Sequence, residues 1–224
     1  MDLFFTQTNE TLNAIIVGLE VSSKDIILAV GGSGDQAFAL LEYAERVKVV
    51  DDRPEQLSYI RRRAEALQKG DYEAFQPSNR EVREDNAGYF KSPTRLETIQ
   101  KKLEGLIILQ PSDIISLAQQ EESYSKVYLS NVIGYRNPPR DGDSCRTILQ
   151  KVAQRLVVNG LIYVANHRSL ALVSEPHTYG IQDLHITSFL PPKLVLDLQL
   201  SKGARRWEKT GNYQWRPAVY RKVA

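Results

Sequence analysis

Cysteine is nearly absent from this sequence. Cys145 is the only one in 224 residues, so no internal disulfide can form and no thiolate pair exists for a structural zinc site. A reducing compartment, by default the cytoplasm, is the expectation. Long apolar runs are missing as well: no segment approaches the roughly 18 apolar residues of a membrane-spanning helix, and the opening MDLFFTQT has no basic leader before an apolar stretch. Neither sign of charge is in large excess, since 29 Lys and Arg face 27 Asp and Glu for a net +2. That field is too weak to favour a nucleic-acid partner. His167, His177 and His185 lack ligand spacing, so no metal is expected. No Gly-Lys-Ser or Gly-Lys-Thr occurs, which argues against a phosphate-clamping P-loop.

What is present is ample core material. A content of 42% hydrophobic and 25% charged residues over this length suits one globular domain spanning 1–224. Ile26 to Val30 is apolar without alternation, as in a strand buried on both faces, and it runs into Gly31, Gly32, Ser33 and Gly34. Ala37, Leu40, Leu41 and Ala44 then repeat at helical spacing. Val47 to Val50 reads as a second strand ending at Asp51-Asp52, and Pro54 opens a helix with Leu57, Ile60, Ala64 and Leu67 on one face. On that helix at least two of Arg61, Arg62 and Arg63 point to solvent.

The rhythm continues through a helix after Ser92 and strands at 106–109, 127–129 and 161–165. A helix over about 144–158 precedes the last of these. Arg206 to Lys209 and Ala218 to Arg221 read as an antiparallel C-terminal hairpin around Gly211-Asn212. The expected architecture is α/β: a mostly parallel, Rossmann-like seven-stranded sheet with helices on both faces and that hairpin at its end.

In such a sheet ligands bind beyond the carboxyl ends of the strands. Gly31, Gly32, Ser33 and Gly34 allow a tight turn and close approach of a ligand to the main chain. The spacing is not Gly-x-Gly-x-x-Gly, and Asp35 puts a negative charge where a pyrophosphate would be repelled. Both features disfavour a nicotinamide-dependent oxidoreductase. A ligand ammonium suits Asp35 better. Asp51 stands where a carboxylate can accept both hydroxyls of a ribose, while Asp51 or Asp52 can instead cap the next helix. Asp113 either accepts from an adenine amine or caps the helix beginning at Ile114.

This order of glycine loop, ribose acid and adenine acid resembles a class I S-adenosylmethionine-dependent transferase. The segments FTQTNE (5–10), GSGDQA (32–37), VDDRPEQL (50–57) and LSNV (129–132) are similar to the S-adenosylmethionine:diacylglycerol 3-amino-3-carboxypropyl transferases, which build betaine-lipid headgroups. The resemblance implies S-adenosyl-L-methionine as cofactor. It places Gly32, Ser33, Gly34 and Asp35 on the aminocarboxypropyl part, Asp51 on the ribose, Asp113 and Ile114 on the adenine, and Ser130 and Asn131 facing the sulfonium. The group moved is then methyl or 3-amino-3-carboxypropyl, and the acceptor small or lipid-like.

Glu10, Tyr135 and His167 are the candidate bases. Asn137-Pro138-Pro139-Arg140 resembles the signature of methyltransferases acting on planar nitrogens, but it falls about six residues too late, and a Pro-Pro turn accounts for it. The basic, aromatic C-terminal region has the composition of an RNA or anionic-lipid surface and equally of a two-faced hairpin, so peripheral membrane contact stays open while nucleic acid is not favoured. The rival class is a non-catalytic nucleotide-binding module of the same fold.

Overall fold

The computed structural model describes residues 3–76, 88–120, 123–133, 142–165, 190–208 and 216–224. Seven strands form one sheet: β1 (Ile26–Val30), β2 (Arg46–Val50), β3 (Leu106–Ile108), β4 (Tyr124–Tyr128), β5 (Leu156–Val164), β6 (Leu194–Leu196) and β7 (Ala218–Lys222). Their order is β3-β2-β1-β4-β5-β7-β6. Pairing is parallel from β3 across to β5, and β7 runs antiparallel to both β5 and β6. The helices are α1 (Leu12–Gly18), α2 (Asp35–Leu41), α3 (Pro54–Gln68), α4 (Tyr72–Phe75), α5 (Pro93–Lys101), α6 (Ile114–Leu117), α7 (Gly142–Ala153) and α8 (Leu198–Trp207).

Two apolar clusters cover the two faces of the sheet, as the unalternating strand sequences require. Ile27 and Ala29 of β1, with Leu161 and Tyr163 of β5, pack among α1, α2, α3, α5 and α8. Leu28, Ile162 and Val164 point the other way, into a cluster with α6 and α7. Helix α2 is buried on every side rather than along a single stripe, because α1 and α5 both pack against it. Under α3, the edge-to-face rings of Phe38, Phe75 and Phe90, with centroids 5.0 and 5.3 Å apart, close the first cluster.

Several boundaries differ from the sequence reading, β4 among them, which begins at Tyr124. Leu156 and Val158 belong to β5 and not to the preceding helix: Leu156 pairs with Tyr124 of β4, and the register then shifts around Asn159, whose φ is 65°. The terminal pair is antiparallel, but its first strand is Leu194–Leu196, with α8 between the two strands. Arg206 and Trp207 are therefore helical. A three-residue edge strand carries too little alternation to be seen, whereas α8 mixes apolar and basic side chains as a strand would. Asp197 caps α8 by accepting from Leu200 N at 3.0 Å.

The sheet order reverses between β1 and β4, which opens a crevice above their carboxyl ends. Val30 pairs with Val50, so the glycine loop and Asp51 leave the sheet side by side. Ala29 pairs with Tyr128, which brings Ser130 and Asn131 to the same rim.

Candidate functional site

A cavity of about 320 Å³ fills this crevice, within the range of small-molecule sites. Gly32 and Ser33 after β1, Asp51 to Arg53 after β2, Ser112 to Ile114 after β3 and Ser130 to Val132 after β4 form its walls. The N-terminal segment contributes Phe4, Phe5 and Gln7 to Glu10.

Asp51 is the best-defined group in the wall. Its Oδ2 accepts from Gly32 N at 2.8 Å and its Oδ1 from Arg53 N at 3.0 Å. Each carboxylate oxygen thus keeps acceptor capacity for the cavity, since an ionised carboxylate offers about four acceptor sites. Burial pushes its pKa above the usual aspartate value, against the two backbone donors that pull it down. Gly32 has φ 48° and open space where a Cβ would stand. Gly34, at φ 85°, turns the chain into α2 directly against Ile60, 2.9 Å from the position of a Cβ. Gly31 packs on the Asp51 side chain in the same way. Of these glycines, Gly32 lines the cavity and the other two build the turn.

Asp35 is buried and does not line the cavity, and its Oδ1 lies 2.7 Å from Arg63 Nη1. Its Oδ2 accepts from Thr8 N at 2.7 Å and from Ser33 Oγ at 2.9 Å. A carboxylate already opposed by a guanidinium has little net charge to offer a ligand ammonium. Arg63, alone of the three consecutive arginines, turns inward: Nη1 also donates to Ser33 O at 2.8 Å and Nε to Phe75 O at 2.8 Å. Its guanidinium lies 4.7 Å from the centroid of the Phe75 ring.

Asp113 meets the expectation of a helix cap. It caps α6 by accepting from Ser116 N at 3.1 Å, and it also stands in the cavity wall beside Ile114. Asp52 lines the wall but is exposed. Ser130, with a left-handed φ of 50°, donates to Glu10 Oε1. A serine in that backbone region is uncommon and is retained when its surroundings require it. Beneath this pair lie Tyr128 and Tyr163. Burial first, and the Glu10 charge second, raise both hydroxyls well above the ordinary tyrosine range. Both stay protonated at neutral pH, so neither supplies a base. Tyr135, His167 and the 137–140 segment lie outside the described residues.

The sequence reading missed the groups that assemble these walls. Gln56 Oε1 accepts from Phe4 N and Phe5 N at 2.8 and 3.2 Å, and its Nε2 donates to Phe5 O and Gly32 O at 2.8 and 2.6 Å. Tyr59 donates to Thr6 O at 3.0 Å, and Gln36 to Thr8 Oγ1 at 2.7 Å. The N-terminal segment is thereby strapped across α2 and α3. Buried glutamines on helix faces were the available signal.

No protein-family model matches the chain, and no curated protein sequence is significantly similar to it. Solved structures share its fold. The N-methyltransferase NodS from Bradyrhizobium japonicum, in complex with S-adenosyl-L-homocysteine, superposes with a TM-score of 0.55 at 12% identity, over 100% of this chain and 94% of that one. An rRNA methylase from Streptococcus thermophilus gives 0.52 at 11% identity, over 95% of each chain. The fold is that of the class I methyltransferases.

Proposed function

We propose that residues 1–224 form a single S-adenosylmethionine-binding transferase domain that moves a 3-amino-3-carboxypropyl or methyl group to a small or lipid-like acceptor. The observation that carries the reading is Asp51. It is held by two backbone donors at the carboxyl end of β2, beside a glycine that leaves the main chain open to the cavity. Such a carboxylate suits the two hydroxyls of a ribose. Among the described residues, the wall sets four carboxylates, Glu10, Asp51, Asp52 and Asp113, against Arg53. This balance favours a ligand of net positive charge, such as a sulfonium amino acid.

In this reading Asp51 orients the ribose, Asp113 and Ile114 border the adenine, Gly32 and Ser33 border the amino-acid part, and Ser130 and Asn131 face the sulfonium. Bound S-adenosylmethionine supplies three electrophilic carbons next to sulfur. The chain's task is to position one of them against the acceptor and to exclude water. The four segments similar to the diacylglycerol 3-amino-3-carboxypropyl transferases support aminocarboxypropyl transfer, and the methyltransferase fold of the structural neighbours supports methyl transfer.

Calorimetry with S-adenosylmethionine and S-adenosylhomocysteine tests the first step. Binding by the wild-type protein that Asp51→Ala abolishes is expected; equal binding by the variant refutes the site. Product analysis then separates the reactions, because methyl transfer leaves S-adenosylhomocysteine and aminocarboxypropyl transfer leaves methylthioadenosine.

A further inference from the structure

The pairing of Asp35 with Arg63 raises the question of which group opposes the cationic amino group of an S-adenosyl ligand. Of the four carboxylates that the described residues contribute to the cavity wall, Asp51, Asp52 and Asp113 follow β2 and β3. The fourth, Glu10, comes from the N-terminal segment and stands against Ser130 after β4.

Contacts tie Glu10 to the glycine-loop side of the cavity. Glu10 N donates to Thr8 Oγ1 at 3.2 Å, Thr8 Oγ1 accepts from Gln36 Nε2, and Thr8 N donates to Asp35. Gln36, Ser33, Ser130 and Asn131 line the same cavity. The Glu10 side chain is almost wholly removed from water, with the residue 1% exposed. Charge-assisted hydrogen bonds are strong in such a place because little solvent screens them.

We infer that Glu10 is the counter-charge for the ligand's α-ammonium group, with Ser130 fixing the orientation of its carboxylate through the hydrogen bond to Oε1. This assignment rests on the S-adenosyl reading of the same cavity. It gives the strapped N-terminal segment a chemical purpose: Gln56, Tyr59 and Asp35 hold residues 4–8 in place, and Glu10 follows from that anchor into the cavity. It also explains the left-handed backbone of Ser130, which carries the hydroxyl to the Glu10 carboxylate from the end of β4.

The test compares two ligands on one variant. S-adenosylhomocysteine carries the ammonium group and methylthioadenosine lacks it, while both keep the nucleoside. For Glu10→Gln, calorimetry is expected to show at least a tenfold loss of affinity for S-adenosylhomocysteine and less than a twofold change for methylthioadenosine. Equal losses for both ligands would make Glu10 a purely structural residue and overturn the assignment. So would unchanged affinities with reduced turnover, the pattern of a general base. Should Glu10→Gln fail to fold, Glu10→Asp, which keeps the charge but withdraws it by one methylene, is expected to show the same selective loss at smaller size; an equal loss for both ligands again overturns it. Failure of the wild-type protein to bind either ligand refutes the S-adenosyl reading itself, whereas wild-type binding with an unselective variant refutes Glu10 alone.

Discussion

Replacing Arg63 with methionine tests how the cavity is held together. Methionine keeps much of the aliphatic length but removes the guanidinium that opposes Asp35 at 2.7 Å, where the two side chains are 2% and 6% exposed. Asp35 would be left as a buried carboxylate facing only Thr8 N and Ser33 Oγ, and the carbonyls of Ser33 and Phe75 would each lose a donor. Removing one partner of a buried ion pair costs about 3–5 kcal/mol, a large part of the roughly 5–15 kcal/mol that a native fold possesses. At about 2–4 °C per kcal/mol for a domain of this size, the melting temperature should fall by roughly 6–20 °C. Urea unfolding followed by circular dichroism measures the free energy directly. The double variant Asp35→Asn/Arg63→Met should regain at least about 1 kcal/mol over the sum of the single losses, because the uncompensated charge is gone. A single-variant loss under about 1 kcal/mol, or strictly additive losses, would refute the argument that this pair anchors the glycine loop.

Further outcomes follow from the same geometry. With Asp51 as the proposed ribose acceptor, affinity for S-adenosylhomocysteine should decline on acidification at a higher pH than an ordinary aspartate would impose, because burial raises the Asp51 pKa; calorimetry across a descending pH series reads it. The linked effect on folding has the opposite sense: the native state holds this proton more tightly than the unfolded chain, so ionised Asp51 costs stability above its native pKa, and the cost disappears below the unfolded value. Gly32→Ala should cost only about 1–2 kcal/mol, for a left-handed residue with nothing within 4 Å of the new methyl, yet weaken S-adenosyl binding more than tenfold by entering the cavity. Gly34→Ala should instead be mainly a folding defect, since its methyl would meet Ile60 at 2.9 Å. Gln56→Leu should cost about 1–3 kcal/mol and expose residues 4–8 to limited proteolysis, as four hydrogen bonds to the strap and to Gly32 are lost.

Recognition of the fold from sequence rested on local signals. The continuous apolar run at Ile26–Val30, its glycine-rich end and the acids closing the next strand are each contained within a few residues, and hydrophobic periodicity reports them without knowledge of any partner. Helix α3 was legible for the same reason, through Pro54 at its start and its apolar face. The C-terminal pair was legible only in outline, because β6 is three residues long and α8 carries the basic and aromatic residues that a strand would also carry.

Side-chain roles that depend on distant partners were decided by the tertiary structure alone. Sequence determined that a carboxylate follows the glycine loop and that another follows β2; it did not determine which of them faces the cavity. Folding brings Arg63 of α3 to Asp35 and leaves Asp51 at the cavity. It likewise joins Ser130 to Glu10 across 120 residues of chain. The physical reason is that a charged group's availability is set by what lies within a few ångströms of it in a poorly solvated place, and hydrophobic patterning specifies which faces are buried without specifying which charges are thereby neutralised.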